Sequence, residues 1–175
     1  MNCSYCKIEM EKRHATREHP YSYRQSGLRE LFLHGIDVYL CPKCNVEVPV
    51  IPRVAQLYAT LADGIVKRTR LLRGDEIRFL RKHAGLPAQD FAQLIGVTPE
   101  HLSRVENGHT KSFGKNTDRL VRAFTLTAKK GPEARKILLA LAASFDAKKS
   151  GRKRSEIIDL FYSLDSHGGW KRTGS

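Results

Sequence analysis

Cysteines stand at positions 3, 6, 41 and 44, as the pairs Cys3-Ser4-Tyr5-Cys6 and Cys41-Pro42-Lys43-Cys44. Two residues between thiols make a tight turn, a zinc knuckle, that offers two sulfurs to one face of an ion. Two knuckles complete a tetrahedral four-thiolate set, with Zn–S about 2.3 Å. A closed set leaves no position for water, so a Zn2+ held by Cys3, Cys6, Cys41 and Cys44 would be structural and not catalytic. A redox pair, and a set of three cysteines with His34, are the alternatives, and iron is the other metal suited to thiolates. His14 and His19, in the same region, read as surface or strand histidines.

A second stretch carries geometry more than reactivity. It runs Leu86-Pro87-Ala88-Gln89-Asp90-Phe91-Ala92-Gln93-Leu94-Ile95-Gly96-Val97-Thr98-Pro99-Glu100-His101-Leu102-Ser103-Arg104-Val105-Glu106-Asn107-Gly108. Ala92 is small where two helices would cross closely, and Gly96 opens a turn that favours positive φ. Thr98 is placed to cap the next helix, Pro99 fills its first position and Glu100 faces the positive end of the dipole. Leu102 and Val105 face inward, with Ile77, Leu80, Phe91, Leu94 and Ile95 to complete a core. Glu100, His101, Ser103 and Arg104 are left outward, on the face that enters a DNA major groove in a helix-turn-helix.

Residues 75–124 resemble the phage-repressor (XRE, Cro/C1-type) helix-turn-helix family, on the run Gly96-Val97-Thr98 and Leu102-Ser103-Arg104-Val105-Glu106-Asn107-Gly108. The resemblance implies that Arg81 and Glu106 pair in the interior. Ala88 stands where that family usually carries a DNA-contacting Gln, and Gln89 is its neighbour. Asn107, Thr110 and Lys111 follow the recognition helix, where this fold class turns amides and polar side chains onto phosphate. The DNA-facing set is therefore Gln89, Thr98, Glu100, His101, Ser103, Arg104, Asn107, Thr110 and Lys111. With the Tyr21-Ser22-Tyr23-Arg24 strand and the second knuckle added, residues 1–127 resemble the MqsA-type antitoxin family with its YgiT-type zinc finger. That likeness implies that Arg104 reads a base, that the zinc domain grips a ribonuclease toxin, and that the helical domain dimerises and represses its own operon.

The elements around these motifs follow from patterning. Residues 1–51 hold all the cysteines and short β-like runs at Tyr21–Tyr23, Ile36–Leu40 and Val46–Ile51, a region too small to be secure without a staple. Val54, Leu57, Tyr58, Leu61 and Ile65 form one stripe of a linker helix across 52–74, which breaks near Arg73-Gly74. Residues 75–127 read as short helices over 75–84, 88–95, 98–106 and 116–124. Two amphipathic stretches follow in 128–175, read as extra C-terminal helices: one with Ala134, Ile137, Leu138, Leu141 and Phe145, the other with Ile157, Leu160, Phe161 and Leu164. A basic linker, Lys148–Arg154, joins them. The fold class is α+β: a small N-terminal zinc-binding β domain, then an all-α helix-turn-helix domain with extra C-terminal helices.

Composition agrees with a polyanion partner. Lys+Arg number 31 against 18 Asp+Glu, a formal charge of +13, which favours nucleic acid. No apolar run reaches membrane-spanning length and the N-terminus has no apolar signal core, so the reading is a cytoplasmic, nucleoid-associated chain with no membrane partner. No nucleophile elbow, P-loop or metalloenzyme motif is seen, so no enzyme is expected.

The function expected is a dimeric, sequence-specific repressor that binds a palindromic operator. The rivals are an antitoxin with a toxin partner, a stand-alone phage-type regulator, and a zinc-ribbon nucleic-acid or protein interaction module. The dimer surface is expected in the C-terminal pair of apolar stretches, with the Val54–Ile65 stripe as the other candidate. On that reading, truncation after Thr127 leaves a folded, zinc-loaded monomer.

Overall fold

A computed structural model describes residues 1–127 and 160–173. The chain opens with strands β1 (Glu11–Ala15), β2 (Tyr21–Ser22), β3 (Leu31–His34), β4 (Ile36–Leu40) and β5 (Glu47–Val50), with a 3-10 turn at Arg24–Ser26. Helices α1 (Val54–Val66), α2 (Gly74–His83), α3 (Ala88–Leu94), α4 (Pro99–Glu106) and α5 (Lys115–Thr127) follow. A last hairpin, β6 (Leu160–Leu164) and β7 (Trp170–Arg172), closes the described chain. The architecture is α+β, an N-terminal β region carrying the cysteines and a helical region after it.

The strands form two sheets, β1-β4-β5 and β2-β3-β6-β7. All pairings are antiparallel except β3 with β6, which run parallel from Leu31 opposite Leu160 to His34 opposite Ser163. β3 and β4 alternate in burial as strands with one covered face must: Leu31, Leu33, Ile36 and Val38 are buried and their neighbours half-exposed. Gly35, between them, has φ +77°, and a Cβ there would stand 3.4 Å from the Leu164 amide nitrogen. Only glycine takes that conformation at no steric cost.

The described chain falls into two compact units. The first contains Met1–Ser26, Glu30–Thr60 and the β6–β7 hairpin. The second contains Gly27–Arg29 and the chain from Leu61 through α5.

The C-terminal hairpin corrects the sequence reading. Leu160, Phe161 and Leu164 were expected on a helix, and they lie on β6. Spacings of three and one fit either element over so short a run, and the pairing with β3, about 130 residues earlier in the chain, decides for strand. Tyr162 is fully buried, and Trp170, also buried, donates from Nε1 to the Pro52 carbonyl at 2.8 Å. The β6–β7 turn is built by Asp165, whose carboxylate accepts from the amides of Gly169 (2.7 Å) and His167 (3.0 Å). The stretch from Ala134 to Phe145 and the basic linker Lys148–Arg154 lie outside the described residues.

In the second unit Phe91, Ala92, Ile95, Leu102, Val105, Ile77, Leu80 and Val121 are buried as one helical core requires. Leu94, expected inside, is 46% exposed, whereas Ile95, the C-cap residue that follows it, takes the core. Along the Val54–Ile65 stripe, Leu57, Leu61 and Ile65 are fully buried, Tyr58 is half-buried and Val54 is exposed. The segment between α1 and α2 is anchored by α5. Arg122, itself buried, donates to the carbonyls of Val66, Arg68 and Arg70 at 2.8, 2.6 and 2.6 Å, and Asp118 accepts from the Leu72 amide at 2.7 Å. Arg122 and Asp118 pair with each other at 2.7 Å, so both buried charges are compensated.

Candidate metal centre and nucleic-acid interface

The two C-x-x-C turns are copies of one local structure. In the first, the Lys7 amide donates to the Cys3 carbonyl at 2.9 Å and the Cys3 amide to the Ile8 carbonyl at 2.9 Å. In the second, the Asn45 amide donates to the Cys41 carbonyl at 2.9 Å and the Cys41 amide to the Val46 carbonyl at 3.0 Å. The residue after each second cysteine is left-handed, Lys7 with φ 60° and Asn45 with φ 55°. Neither was singled out in the sequence; asparagine, which tolerates this region, directly after the Cys41–Cys44 pair was the available signal.

This shared geometry gathers the sulfurs of Cys3, Cys6, Cys41 and Cys44 within 4.8 Å of one another. A tetrahedral ion with bonds of about 2.3 Å sets its sulfurs about 3.8 Å apart, and Cys3 Sγ lies 3.6 Å from Cys44 Sγ. That is far beyond a disulfide bond of about 2.05 Å, and all four cysteines are free thiols. Hydrogen bonding with the Cys44 thiol, then burial, pushes the Cys6 thiol up to about 12. Burial raises Cys41 too, yet the backbone amides of Cys44 and Lys43 bring it down to about 7. Sulfurs this close resist ionising together, and a divalent cation removes that resistance. The donor set fits a thiophilic metal ion. Cys3 and Cys41 are buried and Cys44 is exposed, so solvent reaches one side of the cluster. His34 is not a ligand: its Nε2 faces Thr173 Oγ1 at 2.9 Å. His14 pairs with Asp37 across the β1–β4 ladder at 3.0 Å.

The helix-turn-helix is assembled by the expected local chemistry. Gly96 takes φ +70° between α3 and α4. The Thr98 hydroxyl accepts from the His101 amide at 3.2 Å, capping α4, and Pro99 occupies the first turn. Gly74 allows α2 to start against the end of α4, because a Cβ there would collide with the Val105 carbonyl oxygen.

Arg81 grips Glu106 with both prongs, Nε to Oε1 at 2.7 Å and Nη2 to Oε2 at 2.8 Å. This bidentate pair holds Arg81 more firmly protonated than usual. Arg78, which the sequence reading passed over, joins it, with Nε 3.5 Å from Glu106 Oε2 and Nη2 on the Asn107 side-chain oxygen. Its spacing of three from Arg81 on one helix was the signal. Removing one partner from a buried ion pair costs about 3–5 kcal/mol. Glu106→Ala is therefore expected to lower the melting temperature far more than Glu100→Ala, which alters an exposed residue and should cost under about 1 kcal/mol. Equal shifts in thermal unfolding would refute the pairing.

Glu100, His101, Ser103 and Arg104 are all exposed on α4, with the His101 ring 5.4 Å from that of Phe113. Asn107, exposed at the C-cap, donates from Nδ2 to the Ser103 carbonyl at 2.8 Å. Lys111 is exposed. Gln89 is exposed in the first turn of α3. The Thr110 hydroxyl is shielded from solvent, with no hydrogen-bond partner among the described residues. Among the described residues no helix is long and apolar enough to cross a membrane.

No curated protein and no solved structure matches the chain. Residues 77–114, which run from α2 through α4 to the loop before α5, match the family model described as helix-turn-helix, so this stretch is a helix-turn-helix of the DNA-binding kind.

Proposed function

We propose that the protein is a sequence-specific transcriptional repressor that binds a palindromic operator as a homodimer and holds one structural Zn2+ in its N-terminal cluster. The observation that carries this reading is the face of α4. It presents Glu100, His101, Ser103 and Arg104 to solvent while Leu102, Val105 and Glu106 anchor the helix beneath. Arg104 reads a base, guanine by its O6 and N7 acceptors, with His101 and Ser103 as secondary contacts. Glu100 accepts from cytosine N4. Gln89, Thr98, Asn107 and Lys111 meet the phosphate backbone, and Thr110 joins them through its main chain.

The roles separate in titrations against salt. Arg104→Ala should lose about 1–3 kcal/mol and relax specificity at one position. Lys111→Ala should weaken all sequences alike and reduce the salt slope by about one. An Arg104→Ala protein that keeps full discrimination between cognate and mismatched duplexes overturns the assignment.

Zinc is preferred over other metals because an all-thiolate tetrahedral set is a typical structural zinc site. A second reading, an antitoxin whose zinc module grips a toxin, draws support from exposed apolar side chains in the first unit. Tyr5 is 79% and Val50 is 50% exposed, with Ile8 and Val48 also exposed. Co-expression with the product of the adjacent gene tests it: a toxic neighbour neutralised by this chain favours the antitoxin, and a harmless one leaves a stand-alone regulator.

A further inference from the structure

We propose that Arg29, which lies 48 positions before the matched helix-turn-helix begins, supplies an additional contact to a DNA phosphate beside the C-terminal end of α4. The inference rests on the reading of α4 as the DNA-facing helix.

Gly27–Arg29 is flanked on both sides by residues of the first unit, yet it belongs to the second. Its anchoring is specific. Leu28 is buried, 2% exposed. The Arg29 amide donates to Asp75 Oδ2 at 3.0 Å, at the start of α2. Asp75 is itself buried, and its other oxygen lies 3.3 Å from Arg73 Nε. With its backbone fixed, Arg29 sends its guanidinium over Gly108: a Cβ on that glycine would stand 2.7 Å from Nη2. Gly108 directly follows Asn107, so the guanidinium borders the surface that carries Arg104, Asn107 and Lys111. Arg29 is exposed, and among the described residues no carboxylate pairs with its guanidinium.

A cation on a fixed backbone, exposed and with no carboxylate partner among the described residues, suits a phosphate when it lies beside a DNA-facing helix. The planar fork matches two phosphate oxygens, and fixing the backbone beforehand reduces the entropy lost on binding. A purely structural role also exists for such a residue, since a cation near the C-terminal end of a helix is favoured by the dipole. That role would move stability and leave the salt dependence of DNA binding unchanged.

The test uses the full metal-loaded chain and a fluorescein-labelled mixed-sequence duplex, followed by anisotropy over a range of salt. Neutralising one phosphate contributes a slope of about 0.9. Between 50 and 200 mM salt the wild-type chain should therefore lose about 3.5-fold more affinity than Arg29→Ala, per chain bound. Arg29→Lys should keep the wild-type slope. Arg29→Gln, which keeps the stem over Gly108 without the charge, should lose it and serves if the alanine variant is unstable. A wild-type slope in Arg29→Gln, with wild-type binding intact, overturns the inference and leaves the α4 reading standing. Failure of the wild-type chain to bind the duplex overturns both.

Discussion

Cys41→Ser is expected to abolish metal binding and unfold the N-terminal sheets while α2–α5 stay folded. Cys41 is fully exposed to neither solvent nor reagent, being buried at 0% exposure, and its backbone builds one of the two knuckles. A small core of this kind supplies only about 3–5 kcal/mol by itself. Structural zinc in comparable modules contributes an apparent 10–16 kcal/mol or so. The larger quantity decides: without the fourth thiolate the sheets β1-β4-β5 and β2-β3-β6-β7 have too little to hold them. The helical core does not depend on the cluster, since Ile77, Leu80, Phe91, Leu102 and Val105 all belong to the second unit. Elemental analysis with amide-exchange protection measures both halves of the claim. A Cys41→Ser protein with protected amides in β4, or a wild-type chain purified without added metal that contains well under one equivalent of any metal, would contradict it.

Removal of the chain after Thr127 is expected to destabilise the cysteine-bearing unit, in place of leaving it intact as the sequence alone suggested. The truncation takes away β6, which pairs along all of β3, together with buried Tyr162 and Trp170. Truncating one buried Trp to Ala costs about 3–5 kcal/mol, comparable to the whole core contribution of so small a unit. Trp170→Ala alone should therefore produce a large fall in its melting temperature. Trp170 is the only tryptophan of the chain, so its fluorescence reports the docking of the hairpin directly. A blue-shifted emission that moves red together with loss of β structure is the expected course. A truncated chain whose first unit melts at the wild-type temperature would show that the hairpin is dispensable.

The cysteine cluster is legible because a C-x-x-C turn is local and both copies have the same spacing. The helix-turn-helix is legible for the same reason: Gly96, Thr98 and Pro99 each satisfy a need of the backbone within a few residues. The hairpin is not legible, since β6 is specified by pairing with β3 and not by its own pattern, and Leu160-Phe161 reads equally as part of a helical stripe. The span between α1 and α2 is similar. Its sequence signals only a break, whereas its order comes from Arg122 and Asp118 on α5, roughly 50 residues away in the chain. Gly27–Arg29 is a third case. Its membership of the helical unit depends on a contact to Asp75 that no local pattern announces.

The central claim is sequence-specific DNA recognition by α4, and selection of duplexes from a random pool by the metal-loaded chain tests it most directly. The account predicts one enriched motif with two-fold symmetry, its half-sites about one helical turn or a multiple apart, and loss of a single defined base preference per half-site in Arg104→Ala. Retention of duplexes with no enriched motif, governed by salt alone and indifferent to Arg104, would contradict it.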